Sequence, residues 1–140
     1  MNVLTQNMIR GGEQLIGKLD EMGWPVFAAF WFYISEGSQW KLVLASPKVV
    51  SDGPKKAYET IQSVLTSIPS SADSLSLSDI AVTDPNDQLI ILLRSVVPTG
   101  PTISGIRFRY NVINGHVIED AYIYRLSDRA PQPPTAPTTN

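Results

Sequence analysis

The chain has 140 residues, a formal net charge of -2, 43% apolar residues and 17% charged residues. This length is typical of one domain with its own core, and so small a net charge argues against a nucleic-acid partner, because such binders usually carry a basic excess. There are no cysteines, which excludes disulfides and thiolate metal sites. We see neither a signal peptide nor an apolar run long enough to cross a membrane, and therefore expect a cytoplasmic protein without a membrane anchor.

The first predicted element is an amphipathic helix. Apolar residues recur at three- and four-residue spacing over residues 4–22, and Gly23 is placed to end the helix. Gly11 and Gly12 interrupt the pattern, at about 1 kcal/mol each relative to Ala. Either the helix begins later, near Glu13, or the glycines let another backbone approach closely.

A hairpin and a second helix are predicted next. Residues 26–34 are apolar on both alternating sets, which is typical of a strand covered on two faces. The returning strand runs from Trp40 to Ser46. The second helix is predicted over residues 54–68, because Pro is favoured in the first turn, and Lys55 and Glu59 form an i,i+4 pair in it.

The second half of the chain reads as four strands. Residues 75–82 predict a strand with a bulge, because the apolar phase slips, and residues 88–97 predict a strand that is apolar on both faces. Asn114 and Gly115 between two alternating runs predict a two-residue hairpin turn, in which the numbers of opposite residues sum to 229.

These elements predict an α+β fold. We expect a mainly antiparallel sheet of about six strands, in the chain order α-β-β-α-β-β-β-β, with the helices packed on one face. Residues 1–126 are predicted to form a single domain. Residues 127–140 are predicted to be a disordered tail rich in proline and threonine, because this segment has nothing to bury.

One face of the last hairpin is a candidate anion-binding or ligand-binding surface. Its residues are Arg107, Arg109, Asp120, Tyr122 and Tyr124, with Arg109 opposite Asp120 and Arg107 opposite Tyr122. Cationic groups interleaved with aromatic rings can hold an anion or stack on a base. The alternative is a solvated sheet face with one cross-strand ion pair.

The other face of this hairpin is predicted to be core, and it contains one acid. The face includes Val112, Val117 and Ala121, with Glu119 opposite Tyr110. A buried carboxylate needs a partner or takes up a proton, so Glu119 is a candidate catalytic residue. The alternative is a structural pair with the Tyr110 hydroxyl.

Recognised catalytic and cofactor motifs are missing from the sequence. We find no glycine-rich nucleotide loop and no HExxH or GxSxG motif, and therefore expect no cofactor. Asp79, Asp84 and Asp87 lie near one turn and could hold a hard cation, but turns use aspartate in any case. We expect no metal there.

The aromatic hairpin suggests an interface. If helices cover only one face of the sheet, some of its rings must meet a ligand, a protein partner or a second copy of the chain. Phe27, Trp31, Tyr33 and Trp40 are the candidate interface residues, and a homodimer is the simplest solution.

Residues 23–65 resemble a family of short bacterial proteins of unassigned function. The resemblance rests on a G-x-P-V-x-A-A strand, a return strand that begins with Trp, an A-S-P stop and a G-P-x-x-A-Y helix, in that order. It implies a shared fold for this stretch, and no activity, cofactor or partner.

Three functions are compatible with these patterns. The first is a non-catalytic module that acts as a homo-oligomer or binds a protein partner. The second is a small-molecule enzyme or ligand-binding protein with a pocket near Glu119, Arg107 and Arg109. The third is a weak binder of single-stranded nucleic acid.

Overall fold

The computed structural model of the protein describes residues 3–68, 75–113 and 115–131. Its helices and strands alternate irregularly along the chain. In order, they are α1 (Gln6–Glu21), β1 (Ala28–Ile34), β2 (Gln39–Ala45), α2 (Pro47–Ser51), α3 (Pro54–Ser67), a 3-10 turn (Leu77–Asp79), β3 (Ile80–Thr83), α4 (Gln88–Val96), β4 (Ile106–Ile113) and β5 (His116–Leu126).

The strands form one sheet in the order β3-β2-β1-β5-β4. Three of its four pairings are antiparallel, which confirms the predicted α+β fold with a mainly antiparallel sheet. The pairing of β2 with β3 is parallel. Parallel neighbours need a crossover connection, which α2 and α3 supply here. The chain thus contains one β-α-β unit that the sequence analysis did not predict.

The sheet has five strands because one predicted strand is a helix. The segment predicted as a strand over residues 88–97 forms α4, whose first turn is capped by the Asp87 carboxylate accepting from the Leu89 N–H at 3.1 Å. Ile90 and Leu93 are fully buried, whereas Ile91 is exposed. Buried positions three residues apart are typical of a helix. In a short run that is almost wholly apolar, the sequence does not reveal this spacing, and the run is compatible with a strand or a helix.

The helices lie on both faces of the sheet. Helices α1 and α3 pack on the face that carries Trp31 and Leu42, and α4 packs on the face that carries Phe30 and Ile123. The prediction of helices on one face is therefore right for the two helices that were foreseen and wrong for α4. The two apolar sets predicted for β1 do face opposite layers.

Helix α1 runs through its glycines. It begins after Thr5, whose side chain accepts from the Met8 N–H, and it ends before Gly23, whose φ of 78° explains the glycine. A Cβ on Gly12 would collide with the Tyr124 hydroxyl and lie 3.1 Å from the Trp31 indole nitrogen. The close approach at Gly12 is therefore made by side chains of the sheet, and not by another backbone as predicted.

Two local predictions at the sheet margins have different outcomes. The phase slip within residues 75–82 is the 3-10 turn before β3, and not a bulge. The predicted hairpin register is confirmed, since Ile113 pairs with His116 and Arg109 with Asp120. Asn114 itself lies outside the described residues.

The fold continues past the predicted domain boundary at residue 126. Ser127 is 3% exposed, and its N–H donates to the Phe27 carbonyl at 3.0 Å. Of the predicted tail, residues 132–140 lie outside the described part of the chain.

Candidate functional site

The candidate face of the last hairpin contains a hydrogen-bonded ion pair. Arg107 donates to both carboxylate oxygens of Asp120, from Nε at 2.7 Å and from Nη2 at 2.8 Å. Arg109 approaches the same carboxylate, with its Nε 3.5 Å from Oδ2. The two strands therefore bring together two cations and one anion, on side chains that are 35%, 57% and 20% exposed in the order Arg107, Arg109 and Asp120.

The charges at this pair are fixed over the physiological range. Burial alone would raise the pKa of the Asp120 carboxyl, but the hydrogen bond and charge of Arg107, with the charge of Arg109, outweigh it and hold that pKa below its ordinary value. The hydrogen bond that Arg107 donates to Asp120 raises the pKa of the Arg107 guanidinium. Asp120 is thus a carboxylate that neutralises part of the arginine charge, which weakens this face as an anion site.

Aromatic rings lie beside the ion pair. The guanidinium carbon of Arg107 is 5.6 Å from the centre of the Trp40 ring, within cation–π distance, and Trp40 packs on Tyr33 with their ring centres 5.4 Å apart. Trp40 is 7% exposed. Its indole N–H has no hydrogen-bond acceptor among the described residues. Arg107 therefore covers the indole and closes this part of the face.

Two predicted site residues belong to the core instead. Trp31, predicted at an interface, is fully buried, and Tyr124, predicted in the ligand site, is 1% exposed. The Trp31 indole donates to the Tyr124 hydroxyl at 3.0 Å, and that hydroxyl donates to the Ile9 carbonyl at 2.6 Å. Burial raises the pKa of the Tyr124 phenol, so it remains a donor to α1. Neither ring can meet a ligand or partner on the surface.

A bulge in β5 creates a second polar contact with α1 that the sequence analysis missed. Opposite β1, the register of β5 shifts by one residue between the pairs Ala29–Arg125 and Phe30–Ile123, which leaves Tyr124 as the extra residue. A bulge of this kind can turn two successive side chains to one face. Both Tyr124 and Arg125 indeed reach elements on the α1 side of the sheet.

Arg125 is the most buried charged residue described. Its side chain is 1% exposed and donates to both Asp20 carboxylate oxygens, at 3.1 Å and 2.8 Å, and to the Val26 carbonyl at 3.0 Å. Its Nε has no acceptor among the described residues. This arrangement joins α1 to the sheet and its role is structural.

The proposed acid, Glu119, is not enclosed. It is half-buried, and Val117, two residues away on the same face, is 64% exposed. The reason is that β1 pairs with β5 only as far as Ala121, so the tip of the hairpin projects beyond the neighbouring strand. The catalytic prediction rested on a buried carboxylate, whereas Glu119 is only half-buried, and its catalytic role stays a prediction.

The same projection exposes two valines that were predicted to be core. Val112 and Val117 form a cross-strand pair and are 67% and 64% exposed. Strand β5 has eleven residues and β1 has seven, so the tip of the hairpin extends past the end of β1. Ile113 and Ile118, on the opposite face of the same tip, are 8% and 1% exposed, so it is the valine face of the tip that is uncovered. Of the predicted interface residues, Phe27 and Tyr33 are half-buried.

The three aspartates considered as metal ligands act locally. Asp79, Asp84 and Asp87 each accept a hydrogen bond from a backbone N–H within three residues. In the described part of the chain, no three His, Cys, Asp or Glu residues are grouped so as to hold a metal ion. Among the same residues, none of the helices has the length and apolarity that crossing a bilayer requires.

Comparison with known proteins does not assign this arrangement to a family, so the resemblance of residues 23–65 to short bacterial proteins stays a prediction. No protein-family model, curated protein or solved structure matches the chain.

Proposed function

We propose that this protein is a non-catalytic module that acts as a homodimer, formed by pairing β4 with the β4 of a second copy. The observation that carries the proposal is an exposed cross-strand valine pair beside the open edge of a sheet. A cytoplasmic location is part of the same proposal and rests on the sequence alone.

The edge of the sheet at β4 supports the proposal. Among the described residues, β4 pairs with β5 on one side and with no strand on the other. The eight residues of β4 therefore direct half of their backbone N–H and C=O groups away from the sheet. Such an edge is a template for another strand unless it is covered or guarded.

An apolar patch adjoins this edge of the sheet. We call it the hairpin patch, and define it as Phe32, Phe108, Val112 and Val117. Phe32 and Phe108 both pair with Ala121, so they form a row across β1, β5 and β4. Both rings are half-buried, and the two valines belong to neither buried cluster of the subunit. Glu119 lies on β5 between Val117 and Ala121, so the patch consists of a phenylalanine row and a valine pair with a half-buried carboxylate between them. Exposed apolar side chains are typical of an interaction site.

A second copy is the occupant that fits best. A two-fold interface uses one surface twice, and two antiparallel copies of β4 continue the sheet without any additional element. The arginines select the register. Pairing centred on Phe108 would set Arg107 against the partner's Arg109, and like charges directly opposite are destabilising. Moving the centre by two residues instead sets Phe108 against the partner's Val112.

The test is the mass of the full chain in solution, by analytical ultracentrifugation over a range of concentrations. We expect a dimer for the natural sequence and a monomer for Val112→Lys, which places a charge in the patch. The matched control is Val50→Lys, because Val50 is also 64% exposed but lies on α2. The control should remain a dimer. A monomeric natural sequence, or equal loss of the dimer in both variants, would contradict the proposal.

A second experiment tests the register. The chain has no natural cysteine, so introduced thiols react without background. We expect a short bis-maleimide to join two copies when Phe108→Cys and Val112→Cys are combined in one chain. Each single substitution should give much less of the cross-linked dimer, because its thiols would lie four positions apart across the two-fold axis.

A further inference from the structure

A groove lies between α3 and the edge strand β3, at the other edge of the sheet from β4. It has a volume of about 800 Å³, within the range of small-molecule sites in proteins. Its walls come from three separate parts of the fold: α3, the 3-10 turn with β3, and Lys41 of β2. None of the patterns found in the sequence pointed to this groove.

The floor of the groove is apolar. Ile80 is 3% exposed, and Leu77 and Tyr58 are half-buried, all three lining the groove. The Tyr58 ring is held in place because its hydroxyl accepts from the Val82 N–H at 3.3 Å. That hydroxyl keeps its own proton, for which no acceptor lies among the described residues. The floor thus offers apolar contact and one hydrogen-bond donor.

Two ammonium groups stand at the rim. Lys41 is fixed by donating from Nζ to the Ser78 carbonyl at 2.5 Å, and it has two further protons to donate. Lys55 lines the groove from the first turn of α3. The ion pair predicted between Lys55 and Glu59 is not among those that the described residues form. Both lysines can therefore face a ligand.

The charge balance of the groove defines the ligand. Lys41 and Lys55 contribute two positive charges and Glu59 one negative charge, so the lining has a net charge of about +1 at neutral pH. A ligand with one negative charge would neutralise the lining. A phosphate dianion would leave one excess negative charge and would be repelled by the Glu59 carboxylate.

We infer that this groove binds an amphipathic monocarboxylate. Its apolar chain would lie on Ile80, Leu77 and the Tyr58 ring, and its carboxylate would accept from the ammonium groups of Lys41 and Lys55. The inference is independent of the proposed dimer, because the groove and the hairpin patch share no residue.

The experiment is isothermal titration calorimetry of the full chain with decanoate, below its critical micelle concentration. We expect saturable binding of one decanoate per chain. Decan-1-ol and decylamine should bind at least about tenfold more weakly, because neither has a carboxylate to accept charge-assisted hydrogen bonds from the two ammonium groups. Acetate should show no binding, since it has no chain to place on the floor.

The variants are Lys55→Met and Lys41→Met, with Lys56→Met as the matched control. Lys56 is exposed on the same helix but does not line this groove. We expect each of the first two to weaken decanoate binding by about tenfold and the control to leave it unchanged. Thermal unfolding checks that each variant is folded. If Lys41→Met is unstable, Lys55→Met decides the result, because Lys55 is exposed.

Three results would overturn the inference. They are the absence of saturable decanoate binding, equal binding of decanoate and decan-1-ol, and equal effects of Lys55→Met and Lys56→Met. The variant Val112→Lys separates this site from the proposed dimer, because it should bind decanoate as the natural sequence does. Loss of binding in that variant would place the ligand at the hairpin patch instead.

Discussion

Gly12 occupies a position in α1 where the helix meets the sheet. Its missing side chain leaves room for the hydrogen bond from Trp31 to Tyr124 and for the onward bond to Ile9. This chain of donors and acceptors satisfies polar groups that are otherwise shielded from water. A single residue without a Cβ therefore determines how closely α1 can approach.

The variants Gly12→Ala and Gly17→Ala should have opposite effects on stability. A Cβ at Gly12 meets Tyr124 and Trp31, and we expect the free energy of unfolding to fall by about 1–3 kcal/mol. A Cβ at Gly17 meets nothing within 4 Å, so there Ala should stabilise the helix by up to about 1 kcal/mol. Urea unfolding measures both. Equal stabilisation by the two substitutions would show that the contact at Gly12 is not made.

The pair of Arg125 and Asp20 predicts an asymmetry between its two partners. Asp20→Ala leaves the guanidinium, 1% exposed, without its counter-charge, and we expect a loss of about 3 kcal/mol. Arg125→Met removes the buried charge itself and leaves Asp20, which is 20% exposed, accessible to water. The loss should be smaller. Chemical unfolding of both variants at neutral pH measures the two losses of stability. A larger loss for Arg125→Met than for Asp20→Ala would refute the predicted asymmetry.

Asp120 predicts how stability depends on acid. Its pKa is lower in the folded protein than its ordinary value of 3.8, so the carboxylate stabilises the fold above that pH, and the stabilisation is lost as the pH falls through the folded value. Asp120→Asn should therefore cost stability at pH 6 and progressively less below about pH 4. Unfolding curves at several pH values test this. A cost that does not change with pH would exclude the ion pair as its cause.

At the scale of elements, α4 is a short helix whose existence depends on its surroundings. Its nine residues are fewer than an isolated helix needs in water. It forms because Ile90 and Leu93 are buried against Phe30 and Ile123, and because Asp87 caps its first turn. Packing therefore decides a conformation that the apolar run alone leaves open.

Removal of the cap should weaken α4 measurably. We expect Asp87→Ala to lower the free energy of unfolding by about 1 kcal/mol, because the Leu89 N–H loses its acceptor. Asp87→Ser keeps an acceptor at the same place and should recover most of the loss. The measurement is urea unfolding of the three proteins. If the alanine and serine variants were equally stable, the cap would have no energetic role.

At the scale of the whole molecule, two helical layers enclose the central sheet, while Val112 and Val117 at the hairpin tip are exposed and the outer edge of β4 is unpaired among the described residues. In the proposed dimer a second copy would cover both. Association that favours the folded dimer links thermal stability to protein concentration. We therefore expect Tm to rise with concentration for the natural sequence and for Val50→Lys, and to stay constant for Val112→Lys. Differential scanning calorimetry measures it, and a constant Tm for all three would oppose the dimer.

Local patterns were sufficient for much of the fold. Helices α1 and α3, the two apolar faces of β1 and the register of the last hairpin follow from periodicity and from the turn at Gly115. The site was predicted less well. Arg107 and Asp120 do meet, but Trp31 and Tyr124 lie in the core, because sequence alone does not reveal which face a helix covers.

By itself the sequence determined the elements whose causes lie within a few residues: the amphipathic stripes, the glycine that ends α1 and the hairpin turn. The tertiary structure decided what depends on distant partners. Such features are the helical state of α4, the parallel pairing of β3, the bulge at Tyr124 and the exposure of Val112 and Val117. The physical reason is that burial is a property of the assembled layers. A valine at an alternating position is core only where another element covers it, and at the tip of this hairpin the buried residues are Ile113 and Ile118, on the opposite face.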